Sequence, residues 1–72
     1  MKGWTVKLLE DIPQAEYKKG YWLSSWLDGP QKREFEFAEG LYIAFNTEAD
    51  ARRVSGYLRD EGEIETEVVK VP

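Results

Sequence analysis

The side chains that most often carry chemistry are missing: the chain has no histidine and no cysteine. With them go the commonest general base near neutral pH and the strongest ordinary nucleophile. The nitrogen and sulfur ligands of a zinc site go too. Catalysis would fall to carboxylates, lysine, tyrosine or serine. Ser24-Ser25 has no base beside it in sequence, and no glycine-rich phosphate loop is present. The many carboxylates stand in polar stretches, not in the apolar settings that raise a pKa. The expectation is a protein without catalytic activity, cofactor or metal.

What remains is suited to contact. Glu63, Glu65 and Glu67 alternate along a stretch that reads as a final strand, and so are expected on one of its faces. Such a row could ligate a hard cation. A flat row lacks the multi-directional cage a tight site needs, so a solvated face that discourages strand-to-strand pairing is preferred. The same acids could meet a basic surface on another protein. A second cluster, Tyr17, Lys18, Lys19, Tyr21, Trp22 and Trp26, is the densest aromatic and basic run in the chain. Trp and Tyr are over-represented at interface hot spots. On a helix, Trp22 and Trp26 would face the core and leave Tyr17, Lys18 and Tyr21 outside. The candidate partner-binding set is therefore Tyr17, Lys18, Tyr21, Glu63, Glu65 and Glu67. The expected partner is another protein, one with a basic surface for the acidic row, or a second copy forming a homodimer.

Nucleic acid is the alternative partner, with Tyr42, Arg52 and Arg59 as its candidate contacts. The stretch Gly40–Ala51 resembles the third strand and following helix of an RNA-recognition motif, and Tyr42, Ile43, Ala44 and Phe45 fit the last half of that family's RNP1 pattern. The resemblance implies stacking of bases on the sheet. It departs from the family where Ala38 and Glu39 occupy the leading basic and glycine positions, and where Lys7 replaces an exposed aromatic on the first strand. A net charge of −4 also weighs against broad affinity for phosphates.

These groups must be held by a small number of elements. Thr47-Glu48-Ala49-Asp50 opens a helix over about residues 47–61, with the Thr47 hydroxyl available to an orphan amide. Ala51, Val54 and Leu58 share its apolar face with Tyr57 at the flank, while Arg52 and Arg59 point away. Gly62 stands where a left-handed residue would end it. Strands are expected at Trp4–Leu9, Arg33–Phe37, Leu41–Phe45 and from Glu63 onward, with Glu39-Gly40 as a tight turn between the middle two.

Residues 11–29 are ambiguous. Asp11-Ile12-Pro13 resembles a helix start, Asp28-Gly29-Pro30 resembles a stop, and Trp22 and Trp26 fall at i,i+4. Gly20 argues against a helix. The helix reading is favoured and gives a ferredoxin-like βαββαβ order. The strand reading gives a β-meander with one helix. Both are α+β, a small antiparallel sheet with one or two helices on one face.

Seventy-two residues are enough for one domain, expected over 1–72, and a chain this short has a thin stability margin. Three Trp, four Tyr and three Phe supply large apolar surfaces in compensation. No apolar run is long enough to span a bilayer, so no membrane partner is expected and the cytoplasm is the default location.

Overall fold

A computed structural model describes residues 3–30 and 33–72. Its elements are β1 (Trp4–Leu8), a single 3-10 turn (Pro13–Ala15), β2 (Trp22–Asp28), β3 (Arg33–Ala38), α1 (Glu48–Gly62) and β4 (Thr66–Lys70). The four strands form one antiparallel sheet in the order β3-β2-β1-β4. β1 to β3 make a meander, and α1 carries the chain back to place β4 beside β1. The fold is α+β, as expected, but the favoured ferredoxin-like order is replaced by the meander with one helix.

The correction lies at residues 13–27. Pro13 does open a helical turn, but Ile12 and not Asp11 stands at its cap, with no side-chain hydrogen bond, and the turn lasts three residues and ends at Glu16 in the left-handed region (φ 60°). The Asp11 carboxylate accepts from the Lys19 amide at 2.8 Å, and Ile12 pairs with Tyr17, so residues 11–19 close on themselves as a loop. Gly20 then takes φ +96°, a conformation that L side chains rarely adopt, and turns the chain into β2. Of Asp28-Gly29-Pro30, expected as a helix stop, Asp28 ends β2 and Gly29-Pro30 opens the connection to β3. Across it the Arg33 guanidinium donates to the Asp28 carboxylate at 2.8 Å.

β2 is interrupted by a β-bulge. Leu23 pairs with Phe37 but Ser25 pairs with Glu36, so Ser24 is the extra residue. Its hydroxyl donates to the Glu36 carbonyl at 3.1 Å. The extra residue shifts the alternation by one. Leu23 and Trp26, three apart, both face the helix, whereas Trp22, Ser25 and Leu27 face outward. In an unbroken strand Trp22 and Trp26 would share a face; here they lie on opposite sides.

The expected strand at Leu41–Phe45 is not regular and does not pair with β3. Phe45 makes an isolated bridge to Trp4, and the Ile43 amide donates to the Leu23 carbonyl at 3.0 Å. β1 and β2 pair directly only at Lys7 and Trp22. The segment thus bonds to both strands where their direct pairing has ended. Thr5, fully buried on the outer side of β1, secures it by donating to the Ile43 carbonyl at 2.6 Å.

α1 forms as its residues dictate. Thr47 accepts from the Asp50 amide at 3.1 Å, which satisfies one of the four orphan donors at the start. Ala51, Val54 and Leu58 are buried against the sheet beside Val6, Leu8, Leu23, Phe37 and Ile64. The left-handed residue at the C-terminus is Glu63 (φ 55°), one position later than expected. Gly62 instead makes room for the core, since a Cβ there would come within 3.3 Å of Ile64 Cδ1. β4 accordingly begins at Thr66 and not at Glu63.

Candidate interaction surfaces

α1 lies over β1 and β4. The helix-side face of β2 and β3 is therefore bordered, not covered, by it. By alternation that wing presents Leu23, Trp26 and Asp28 from β2 and Arg33, Phe35 and Phe37 from β3. Its rings form a continuous row. Tyr17 meets Phe37 edge-on at 5.4 Å between centroids, Phe37 meets Phe35 at 6.0 Å, and Phe35 stacks with Trp26 at 6.5 Å. Trp26 in turn meets Tyr57 of α1 edge-on at 5.4 Å. Arg33 ends the row, with its guanidinium carbon 4.3 Å from the centre of the Tyr57 ring. The Tyr57 side chain, and after it Asp28, hold the Arg33 pKa above its ordinary value. A small open cavity of about 160 Å³ lies between α1 and this end of the row, lined by Trp26, Asp28, Arg33, Arg53, Val54 and Tyr57. Phe37 is buried, whereas Tyr17, Trp26, Phe35 and Tyr57 are half-buried and still reach solvent.

The opposite face of the sheet has no helix among the described residues. It carries Lys7 over the Trp22 ring at 5.3 Å and Trp22 against Tyr42 at 5.7 Å. Leu27 is 58% exposed, and beyond Tyr42 in the preceding turn Leu41 is 70% exposed. Glu34 and Glu36 of β3 and Glu67 of β4 share this outer side.

A third surface runs between α1 and β4, an outermost strand of the sheet. Its cavity of about 460 Å³ is lined by Arg52, Ser55, Gly56, Arg59, Thr66, Glu67 and Val68. The Ser55 and Thr66 hydroxyls hydrogen-bond at 2.5 Å across its floor. Arg52 binds Glu48, and Arg59 donates to Asp60 at 3.2 Å. Both cavities are open to solvent, and among the described residues no group of His, Cys, Asp and Glu side chains could hold a metal ion. Nor is any helix among them long and apolar enough to cross a membrane.

The candidates read from sequence do not gather in one place. Tyr17 and Tyr21 are half-buried and pack against the core, because residues 12–21 form a loop folded over the sheet instead of a helix that turns them outward. Lys18 is exposed beside them. Glu63, Glu65 and Glu67 are exposed, but their expected common strand face is not formed. Glu63 caps α1. Glu65 lies in the connection, where its amide donates to Glu10 at 2.7 Å. Only Glu67 lies in β4. Tyr42 is on the outer side of the sheet, while Arg52 and Arg59 are on the helix side, so the three do not converge. Arg33, Phe35 and Tyr57 were not singled out from sequence, and no local signal marks them: they meet only once the β2–β3 hairpin closes beside α1. Gly56, by contrast, had a legible signal as a glycine inside an otherwise strong helix.

No protein-family model, curated protein or solved structure matches the chain.

Proposed function

We propose that the chain is a non-catalytic interaction module that binds another protein through the aromatic wing beside α1. The carrying observation is the continuous row Tyr17–Phe37–Phe35–Trp26–Tyr57 ending on Arg33, of which all the rings but the buried Phe37 still reach solvent where α1 stops short of β2 and β3. Large rigid rings with an arginine at the end are the usual make-up of binding hot spots. A partner chain that seats there would remove the remaining ring surface from water at about 25 cal/mol per Å². Open, shallow cavities do not exclude water from a reaction, which suits binding better than catalysis. Regulatory or accessory service in the cytoplasm fits a chain without cysteine.

The test is affinity capture from native lysate with tagged protein, with and without nuclease, beside a Trp26→Ser/Phe35→Ser variant verified as folded. Nuclease-resistant capture that the variant loses supports the reading. Capture unaffected by the variant, or none at all, defeats it.

A second reading, nucleic-acid binding, draws on the Lys7–Trp22–Tyr42 group on the outer face, since aromatic side chains can stack bases. Its signature would be nuclease-sensitive capture that weakens steeply as salt rises.

A further inference from the structure

Gly56 has no explanation within the fold. Glycine inside a helix is unfavourable because it gives up more backbone freedom than any other residue. Packing requires such a residue where a side chain would collide. At Gly56 an added Cβ would meet only the flexible end of Arg59, at 4.0 Å. Gly62, in the same helix, is crowded by Ile64 at 3.3 Å and needs no further account. The space above Gly56 is the groove between α1 and the outer strand β4.

Charge in that groove is sorted by side. Arg52 and Arg59 flank Gly56 along the helix. Beyond the residues that line the groove, Lys70 rises on the helix side by strand alternation, its ammonium 5.8 Å from the centre of the Trp4 ring. Glu67 also lines the groove from β4, although its register with Lys7 places its side chain toward the opposite face of the sheet. Arg52 and Arg59 are 68% and 64% exposed, so their ion pairs with Glu48 and Asp60 are surface pairs of little net strength that a competing carboxylate can displace.

We propose that the β4 edge and the adjacent flank of α1 receive an extended acidic segment of another protein as a fifth strand, its carboxylates meeting Arg52, Arg59 and Lys70 and its backbone passing over Gly56. This rests on the reading of the chain as an interaction module and names a second surface for it. An edge strand offers alternating amide donors and carbonyl acceptors, which a peptide backbone satisfies and a phosphate backbone, lacking donors, does not. A second copy fits poorly. Two-fold antiparallel pairing centred on Glu67 would oppose two carboxylates, and any two-fold pairing of β4 sets two arginine-lined helix flanks side by side.

The test titrates the full 15N-labelled chain with Val-Glu-Val-Glu-Val-Glu-Val, its lysine counterpart and an oligothymidylate, with anisotropy of labelled peptide giving affinities. Expected are amide shifts confined to Thr66–Lys70, Ser55 and Gly56, and a preference for the glutamate peptide of at least about fivefold. Arg52→Gln/Arg59→Gln should abolish that preference. Gly56→Leu should weaken binding by at least about fivefold while helix content, read by circular dichroism, is retained. Equal binding of the lysine peptide, shifts elsewhere, indifference to either variant, or oligothymidylate displacing the peptide would each overturn the proposal. Lysate capture through the aromatic wing is read separately: if it persists while the peptide fails, the groove is rejected and the module reading stands.

Discussion

The Thr5 hydroxyl donates to the Ile43 carbonyl at 2.6 Å, and both partners lie where β1 and β2 have ceased to pair directly. Thr5 is fully buried although it faces away from α1. The segment 41–45 is what covers it. Thr5→Val keeps the shape and leaves the Ile43 carbonyl without this donor, so stability should fall by about 1–3 kcal/mol. Hydrogen exchange locates the effect: the Ile43 and Phe45 amides, bonded to Leu23 and Trp4, should lose protection ahead of those in β2 and β3. Uniform loss across the sheet would show that the segment is no separate unit.

The two glycines of α1 should respond oppositely to alanine. Gly56→Ala adds a methyl group to open space and should stabilise by about 0.5–1 kcal/mol. The melting temperature would rise by roughly 4–8 °C per kcal/mol in a domain of this size. At Gly62 the same change pushes on Ile64, a core residue, and the gain should be lost or reversed. Thermal melts of both variants decide the point; equal gains would contradict the stated contact.

Glu63 ends α1 in the left-handed region at φ 55°, where its amide donates to the Leu58 carbonyl. A side chain there costs about 1–2 kcal/mol that glycine avoids. Glu63→Gly should therefore stabilise, by up to about 1 kcal/mol after the greater freedom of glycine in the unfolded chain is counted. A lower denaturation midpoint for the variant would show that the carboxylate has another role.

At the other end of the helix, Thr47→Ala removes the acceptor for the Asp50 amide. Loss of about 1 kcal/mol is expected, recovered by Thr47→Asp or Thr47→Ser and not by Thr47→Val. Urea unfolding of the four variants beside the parent protein separates capping from general packing.

α1 was legible because everything that defines it is local: a capping threonine, three buried positions at helical spacing and a glycine near the end. β1 and β3 were legible for the same reason, since Trp4, Val6 and Leu8 or Phe35 and Phe37 alternate without interruption. β2 was not, and the cause is physical. Trp22 and Trp26, four residues apart, suggest one face of a helix, whereas the bulge at Ser24 turns them to opposite sides of a strand. Asp11-Pro13 and Asp28-Gly29-Pro30 are equally good chemistry for a 3-10 turn and a strand connection as for helix ends. Leu41–Phe45 alternates like a strand, but its partners are set by where β1 and β2 part. The aromatic wing is assembled from β2, β3, α1 and the loop at Tyr17, so no stretch of sequence contains it.

β1 occupies an interior place in the sheet, yet the strand that completes it, β4, is the last of the four to be synthesised. A ribosome must deliver the whole helix before one flank of Val6 and Leu8 acquires its neighbour. Until then the inner face of β1–β3, rings included, lacks the cover of α1 and β4. The pairing that closes the sheet also joins residues far apart along the chain, which slows the search for it. Early synthesis is therefore when this protein is most prone to mispairing, and a chain stalled before Thr66 would present an unpaired β1 to whatever strand is nearest.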